Sequence, residues 1–493
     1  MAVHKVLGTE TEYGITIRPV ADFNPALASA QVVNSYPGER VRVQWSYEEE
    51  SPGRDARGFG HEGYGVAEAD GAMVNAVLAN GARLYVDHAH PEYSGPECYD
   101  PLEAALYDKA GERIVHRAAT GAASLMPPDR RLFLYKNNSD GKGNSYGAHE
   151  NYLLARESPF GDVIRYGTTF FVTRQLFTGA GKVGSENGRP EADFQLTQRA
   201  DFFEEEVGLE TTLKRPIINT RDEPHGDPSR YRRLHVIIGD ANLSEVQLFL
   251  KLGVTALFLA ALEDGALPDP LDLADPVDAC WRVSHDLSFR RPLALDGGGT
   301  ATALELQWRY FEWLEKYLES EMADDQVMRR VVRTWEQVLT DLEADPERLS
   351  DTLDWAAKRR LLEGFIARDG LRWDDPKLAA ADLQYHDVDP ARSLYQKLVD
   401  RRHMQVLFDE AQIAKAEVEP PERTRAYFRG RCVSRFADAL VAANWDSLVF
   451  DTGASHLKRV PMMEPLRGDR ARVGELVETA ADAEALIEAL GGS

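Results

Sequence analysis

The clearest pattern along this chain is an alternation of apolar and polar residues with a period of two. In RLYVDHAHPE, Leu84 and Val86 are apolar, whereas Arg83, Tyr85 and Asp87 are charged or polar. Successive side chains of a strand point to opposite faces, so this spacing predicts a strand with one apolar and one charged face. The stretches GTETEYG, YGAHENY and RRLHVIIGD show related alternation, and we interpret them as strands too.

The rest of the chain mixes strand and helix patterns without a regular βαβ rhythm. Such a mixture favours an α+β fold over a doubly wound parallel sheet. We predict strands over 5–18, 83–92, 130–138, 144–156, 233–242 and 447–450, and helices over 71–80, 102–119, 303–370 (two or three segments), 427–443 and from 473, with a further helix that begins near Ser244.

Two stretches indicate how the chain is organised. Residues 34–70 are polar, rich in glycine and without periodicity, and connections of that length are usually functional or mobile. We therefore predict a mobile loop there. PPERTRAYFRG, near residue 420, carries the proline-rich composition of a boundary. We predict one domain over 1–420 and a smaller one over 421–493.

Charge and composition narrow the class of protein. The 493 residues include 57 basic and 81 acidic ones, a net charge of -24, which disfavours a nucleic-acid partner. No apolar run approaches the roughly 18 residues of a membrane span, and Glu10 and Glu12 interrupt any signal-peptide core near the start. The three cysteines are widely spaced and suggest neither a zinc site nor disulfides. We expect a cytoplasmic protein without a membrane partner.

The polar faces of the four strands hold the candidate chemistry. Unpaired charges are too costly to bury, so a sheet face rich in them must meet a ligand or solvent. Carboxylate oxygens with one or two imidazoles suit Mg²⁺ bridged to a nucleotide phosphate, and arginines suit phosphate oxygens. The residues concerned are Glu10, Glu12, Arg83, Tyr85, Asp87, His149, Asn151, Arg233 and His235.

Two glycine-rich stretches are weaker signals. GKGNSYG (141–147) and GAGKVG (179–184) look like phosphate-binding loops. Neither has the P-loop spacing that ends in Lys-Ser or Lys-Thr, so neither predicts a phosphate site alone.

Longer motifs resemble a known family across essentially the whole chain. They are GTETEYGI, NGARLYVDHAHPEYSGPEC, NSYGAHENYL, INTRDEPH, YRRLHVIIGDAN and NWDSLVFD. Together they resemble the family of Pup ligases and Pup deamidases (depupylases), which is similar to the carboxylate–amine ligases of the glutamine synthetase fold. The resemblance implies a large catalytic domain with a curved, mainly antiparallel sheet cradle backed by helices. It also implies a small C-terminal α/β domain that contacts the nucleotide.

The resemblance also implies roles for particular residues, with ATP (or ADP plus phosphate) and Mg²⁺ as cofactors. Asp87 matches the catalytic aspartate. Glu10, Tyr85 and Glu92 match metal positions, and Arg83, Gly95 and Trp445 match nucleotide contacts. A second set, proposed for metal or phosphate from the strand pattern, comprises Glu12, His149, Asn151 and His235.

The reaction implied is hydrolysis of a γ-amide bond of Pup, a small and largely disordered protein tag. Its C-terminal Gln would become Glu, or its isopeptide bond to a substrate lysine would be cleaved. The motif GTETEYG with HAHPEY, and the long loop before Gly71, favour the deamidase over the ligase. Asp87 would act as a nucleophile or as a general base for water, and the sequence leaves both open.

Three other functions remain open at the level of sequence. They are a Pup–protein ligase, a nucleotide-bound Pup-binding module without turnover, and a γ-glutamyl amine ligase for small molecules. The partners expected are Pup and pupylated proteins, with a functional link to the bacterial proteasome. Because Pup is acidic, we expect a basic groove, for which the candidates are Lys214, Arg215, Arg230, Arg232 and Arg233.

Overall fold

A seven-stranded antiparallel sheet forms the centre of the fold. The structure is a computed structural model that describes residues 2–19, 23–42, 53–58 and 74–491. Helices and an antiparallel sheet occur together, so the predicted α+β class is confirmed. In spatial order the strands are β13 (Tyr231–Val236), β8 (Ala148–Ala155), β1 (Leu7–Glu12), β6 (His90–Ser94), β5 (Arg83–Asp87), β4 (Asn75–Leu78) and β3 (Arg40–Val41).

The two faces of this sheet differ in character. On one face Leu84, Tyr93 and Leu234 are at most 2% exposed and pack into hydrophobic clusters. That face also buries Glu150, whose carboxylate accepts two hydrogen bonds from the Arg174 guanidinium, at 2.6 and 2.9 Å. The other face carries the polar residues of the sequence pattern and borders a cavity. The burial of apolar side chains that stabilises the fold therefore occurs on one face of the sheet. The other face is available to ligands.

Helix α5 (Glu245–Glu263) is the most apolar helix of the core. The Ser244 hydroxyl caps it by accepting from the Gln247 amide at 3.2 Å, as its position in the sequence predicts. By length and composition, its 19 residues would be able to cross a membrane, a weak indication because the core helices of globular proteins meet the same criterion. The helix is nevertheless fully buried within the protein, as core helices are.

Most of the other helices surround α5 and the sheet. The helices predicted from residue 102 and over 303–370 are confirmed, the second as three α-helices. The helices before residue 420 are α1 (Pro25–Asn34), α2 (Pro101–Ser124), α3 (Phe160–Thr173), α4 (Gln175–Thr178), α6 (Pro276–Ser284), α7 (Ala303–Glu321), α8 (Gln326–Ala344), α9 (Asp354–Asp369), α10 (Pro376–Tyr385), α11 (Leu394–Asp400) and α12 (Glu410–Val418).

Short strands complete the part of the chain before residue 420. All pair in two-stranded sheets, of which only β11–β12 is parallel. They are β2 (Gly14–Arg18), β7 (Arg131–Tyr135), β9 (Lys182–Val183), β10 (Phe194–Gln195), β11 (Phe203–Gly208), β12 (Arg215–Asn219), β14 (Leu293–Ala294) and β15 (Thr300–Ala301).

The C-terminal segment packs against the β3–β4 edge of the main sheet. Phe428 and Cys432 belong to one hydrophobic cluster with Val41, Val77 and Ala79 of that edge. The contact covers part of an edge that would otherwise be open to pairing with another chain. The segment consists of α13 (Ala426–Arg435), the antiparallel strands β16 (Leu440–Ala443), β17 (Ser447–Phe450) and β18 (Lys458–Pro461), and helices α14 (Arg470–Thr479) and α15 (Ala483–Ala489).

Several predicted boundaries need correction. The helix predicted over 71–80 is wrong where it is described, because 75–78 form strand β4. The helix predicted over 427–443 ends at Arg435, and strand β16 begins five residues later, after a 3₁₀ turn. Of the loop predicted over 34–70, residue 34 ends α1 and residues 40–41 form β3, while 43–52 and 59–70 lie outside the described residues.

Candidate active site

The pairing register collects polar side chains from five adjacent strands on one face of the sheet. Directly paired residues of neighbouring strands point to the same face. Glu12 of β1 pairs with Glu92 of β6, which in turn pairs with Tyr85 of β5. The next rows pair Glu10 with Ser94 and His149, Arg83 with Ser94, Asp87 with His90, and Asn151 with His235.

A tight turn produces part of this arrangement and differs from the prediction. The stretch RLYVDHAHPE is two strands rather than one, because the chain reverses at His88 and Ala89. His88 has a φ of 52°, in the left-handed region that non-glycine residues seldom occupy. The reversal brings Glu92 back opposite Tyr85, which a single extended strand would have placed about 23 Å away.

Three carboxylates gather beside this turn. One oxygen from each of Glu12, Asp87 and Glu92 lies within 4.8 Å of the others. Burial, together with the charges of Asp87, Glu10 and Glu12, raises the pKa of Glu92 well above its ordinary value. Burial would also raise the pKa of Glu12, but His90, at 3.1 Å, lowers it below that value. The Asp87 side chain is 39% exposed against 10% for Glu12, so Asp87 faces incoming molecules.

The turn residue His88 contacts this group from the solvent side. Its Nδ1 lies 2.9 Å from Asp87 Oδ2. This hydrogen bond and the Asp87 charge raise the pKa of His88 to about 9. The imidazole therefore stands next to Asp87 as a cation at neutral pH.

A second group lies one row along the sheet. Glu10, His149 and His235 also bring ligand atoms within 4.8 Å of one another. Asn151 Nδ2 donates to Glu10 Oε1 at 3.0 Å, and Arg233 Nη1 donates to Asn151 Oδ1 at 2.6 Å. Burial would raise the pKa of Glu10, but these histidines and Arg233 hold it well below its ordinary value. The charge of Glu10 is thus compensated by protein groups, whereas burial and the neighbouring carboxylates disfavour the charged form of Glu92.

Both groups border a cavity of about 760 Å³. The sheet forms its acidic wall, and Arg199, Lys214, Arg215 and Arg221 contribute cations to its lining. Burial and the nearby Arg215 lower the pKa of Arg199 to about 9. The sequence analysis missed Arg199 and Arg221, because neither lies on one of the alternating strands.

The glycine-rich stretch 141–147 also borders this cavity. Gly143 to Gly147 line it, and the Gly147 amide donates to Glu12 Oε1 at 2.9 Å. Its tip is held by Glu186, which accepts from the Gly143 amide at 3.1 Å and from the Ser139 hydroxyl at 2.5 Å. The loop therefore contacts the carboxylate group directly, although it lacks P-loop spacing.

A smaller, mainly apolar pocket lies at the other end of the polar face. Gly95, Trp445, His225 and Pro465 contribute to its lining. Glu10 lines both this pocket and the large cavity, so a molecule extending past Glu10 would contact both. Of the predicted nucleotide contacts, Gly95 and Trp445 thus meet in the small pocket. Arg83 lines the large cavity instead, with its guanidinium 3.9 Å from the Tyr85 ring centroid.

The five residues suggested for a basic groove do not lie together. Lys214 and Arg215 line the large cavity. Arg233 lines the small pocket. Arg232, its neighbour on β13, points to the opposite face and is buried, with Nη1 donating to Ser158 O at 2.9 Å. Arg230 is exposed and ion-paired with Glu464. A groove formed by all five residues is therefore excluded.

Glu97 joins the small pocket to the C-terminal segment. Its carboxylate accepts from Arg425 Nε at 2.7 Å and from Arg429 Nη1 at 3.2 Å, and Arg429 Nη2 contacts its second oxygen. Burial would raise the pKa of Glu97, but Arg429 and Arg425 lower it to about 2. We call Glu97, Arg425 and Arg429 the Glu97 clasp.

Because this pKa is depressed, the clasp should make stability depend on pH. The stabilisation is complete above the ordinary glutamate value of 4.5 and disappears as pH falls towards 2. It amounts to about 3 kcal/mol. In thermal unfolding, the deficit of Glu97→Gln relative to wild type should be largest at pH 7 and shrink by pH 4. Glu422→Gln, at an exposed ion pair, should show little deficit at either pH, whereas a pH-independent Glu97 deficit would contradict the assignment.

Comparison with known proteins relates this geometry to a family. The family profile described as Pup-ligase protein matches residues 5–449. A depupylase from Acidothermus cellulolyticus is 53% identical over 504 residues, covering 99% of this chain and 100% of the relative. A Pup deamidase/depupylase from Mycolicibacterium smegmatis is 50% identical over 498 residues, with coverages of 99% and 100%.

Two solved structures have a similar fold. The complex between the prokaryotic ubiquitin-like protein Pup and its ligase PafA superposes with a TM-score of 0.81 at 32% identity. The match covers 99% of this chain and 94% of that one. The Pup ligase PafA in complex with ADP superposes with a TM-score of 0.74 at 36% identity, covering 82% and 89%. The chain is thus markedly more similar in sequence to the hydrolases than to these ligases.

Proposed function

This chain belongs to the Pup-ligase protein family, and we propose that it is a Pup deamidase and depupylase. It would hydrolyse the γ-amide of the C-terminal Gln of Pup to Glu, and the isopeptide bond between Pup and a lysine. The observation that carries the proposal is Asp87, the exposed member of a carboxylate group that faces a large cavity. Identities of 50–53% to hydrolases over the whole chain favour hydrolysis over ligation.

We propose that a nucleotide binds along the polar face with its base in the small pocket. The lining of that pocket is mainly apolar, and the flat Trp445 ring suits stacking against a base. ADP binds to a ligase of the same fold, which supports the assignment. Phosphates extending past Glu10 would come near Arg233 and Arg83. On this proposal residues 421–493 form a small domain that completes the nucleotide site, and residues 1–420 form the catalytic domain.

The carboxylates beside Asp87 fit Mg²⁺. Their oxygens are the hard donors that Mg²⁺ prefers, and the raised pKa of Glu92 indicates negative charge that lacks compensation. We assign Glu92 and Glu12 as ligands, with Glu10 and His149 available to a second ion. The buried phenol of Tyr85, with its pKa raised well above the ordinary value, is a weak ligand beside carboxylates. Tyr85 therefore forms the wall next to Glu92.

Hydrolysis requires an attacking oxygen and a stabilised oxyanion. In one route, an oxygen of Asp87 attacks the γ-carbonyl carbon, and the C–N bond breaks as the amine takes a proton from water. A water molecule then cleaves the anhydride, which regenerates Asp87 and returns the proton to solvent. In the other route, Asp87 accepts a proton from the water that attacks. Both give the same γ-carboxylate and ammonia or lysine. Bound Mg²⁺ would supply electrostatic stabilisation, and neither route consumes ATP.

Recognition of Pup would use the cationic part of the cavity lining. Pup is acidic, and Lys214 and Arg215 line the cavity together with Leu213, whose side chain is exposed. Long-range attraction of an acidic peptide to these cations would guide its C-terminal residue towards Asp87. We place the reaction in the cytoplasm, on pupylated proteins that supply the bacterial proteasome.

The decisive experiment follows the product. Pup ending in Gln would be incubated with the protein, Mg²⁺ and ATP, and its mass recorded over time. Conversion of the amide to the acid, a gain of about 1 Da, and release of Pup from a pupylated protein are expected. Formation of conjugates from Pup ending in Glu, without either hydrolysis, would make the protein a ligase. Binding without turnover would make it a Pup-binding module.

A further inference from the structure

Arg429 of the Glu97 clasp contacts three separate parts of the chain. Besides Glu97, its Nε donates to Gly81 O at 2.9 Å, in the turn between β4 and β5. Its Nη1 donates to Trp445 O at 3.2 Å, between β16 and β17. The side chain is only 1% exposed, so these donors have little access to water. The guanidinium of Arg429 thus forms hydrogen bonds with three places in the chain: the segment after β6, the turn before β5 and the connection between β16 and β17.

The same guanidinium also contacts the Trp445 side chain. Its central carbon lies 4.8 Å from the Trp445 ring centroid, within the range of a cation–π interaction. Trp445 is therefore held by its carbonyl and by its ring. The indole lines the small pocket together with Gly95, only two residues before Glu97.

We infer that Glu97 and Arg429 are positioning residues for the nucleotide, an inference that rests on the proposed function. They hold the indole in place in the wall of the small pocket, which Gly95 also lines. A rigid pocket wall lowers the ordering cost of binding and so increases affinity. A buried ion pair adds little net stability compared with apolar packing of the same volume. A planar guanidinium that donates to several acceptors, however, allows only one geometry.

The Glu97 clasp also connects the small pocket to the hairpin formed by β5 and β6, which carries Asp87 and Glu92. Gly81 lies two residues before β5, which ends at Asp87, and Glu97 lies three residues after β6, which contains Glu92. Both strands of the hairpin are therefore held near their outer ends by the residue that holds Trp445. The clasp does not touch the reacting atoms, so its loss should act on nucleotide affinity before it acts on the chemical step.

Arg429→Lys is the variant that tests this inference. Lysine keeps a positive charge beside Glu97, but one ammonium cannot reproduce the planar fork that reaches Glu97, Gly81 and Trp445. We expect the Kd and KM for ATP to rise at least tenfold, while kcat at saturating ATP stays within about threefold of wild type. Arg431→Lys is the matched control on the same helix, because Arg431 is paired with Glu478 away from the small pocket, and its ATP affinity should not change.

A double-mutant cycle with Trp445→Ala identifies the route of the effect. If Arg429 acts through the indole, Arg429→Lys should weaken ATP binding much less in the Trp445→Ala background than in wild type. Additive losses would overturn the inference, because Arg429 would then act independently of Trp445.

The remaining outcomes separate the inference from the proposed function. If Arg429→Lys binds ATP as tightly as wild type, with or without a lower Tm, the clasp has only a structural role. That result would overturn the inference but leave the proposed function untouched. If wild type itself binds no ATP, the proposed nucleotide site fails and the inference fails with it. Isothermal titration with ATP and Mg²⁺ distinguishes these cases.

Discussion

Asp87→Asn is expected to lower the rate of Gln-to-Glu conversion by about 10³-fold or more, with little change in ATP affinity. Asparagine keeps the shape of the side chain but can neither attack a carbonyl efficiently nor accept a proton from water. Asp87 lies outside the small pocket, so nucleotide binding should remain intact. Mass spectrometry of Pup ending in Gln measures the rate, and isothermal titration measures ATP binding.

The control for this variant is Asp438→Asn, which changes an exposed aspartate of the C-terminal segment. Its rate should match wild type. Activity of Asp87→Asn within tenfold of wild type would remove Asp87 from the centre of the reaction. Loss of ATP binding together with activity would instead assign Asp87 to the cofactor site.

Water labelled with ¹⁸O can reveal a nucleophilic role of Asp87, one of the two roles left open. A covalent anhydride attacked by water at the Asp87 carbonyl leaves ¹⁸O in Asp87 after a single turnover. General-base catalysis sends the label only to the product carboxylate. Peptide mapping of the enzyme after one turnover therefore identifies the nucleophile if the label appears in residues around Asp87.

Glu92→Gln should abolish stabilisation by Mg²⁺ and lower the hydrolysis rate by about 100-fold or more. At free Mg²⁺ of 100 times Kd, binding stabilises the wild-type protein by about 2.7 kcal/mol, and the variant loses this gain. Without metal, the variant should be at least as stable as wild type, because burial and then the neighbouring carboxylates disfavour the charged form of Glu92. Thermal unfolding across a Mg²⁺ series, with the deamidation assay, checks both effects.

The comparison variant is Glu157→Gln, at an exposed glutamate just past β8. It should respond to Mg²⁺ as wild type does. An unchanged Mg²⁺-dependent rise in Tm for Glu92→Gln would show that the ion binds elsewhere, with the Glu10 group as the next candidate.

The alternation of side chains predicted the polar face because that property is local. Whether Arg83 or Leu84 faces the cavity depends only on the period of a strand. The hairpin was missed because HAH contains none of the Asn-Gly or Asp-Gly signals that usually mark a two-residue turn. The backbone nevertheless turns there, with His88 in a left-handed conformation, and this turn sets the contact between Glu12 and Glu92.

Alternation of side chains and turn signals cannot predict contacts between distant parts of the chain. Arg429 and Glu97 are 332 positions apart, and no local signal connects them. Arg199 follows β10 in an irregular segment, so nothing in its surroundings predicts a cavity. The strand at 75–78 was predicted as helix because its short apolar run fits either period, and its pairing with β5 decides the outcome.

The different faces of the central sheet have a consequence for how this fold diversifies. Residues such as Leu84, Tyr93 and Leu234 fix the architecture from one side, while those that would meet substrate stand on the other. A substitution on the cavity side then alters reactivity with little penalty in foldability. Bond-making and bond-breaking enzymes can therefore share one scaffold, as the likeness of this chain to both depupylases and Pup ligases illustrates.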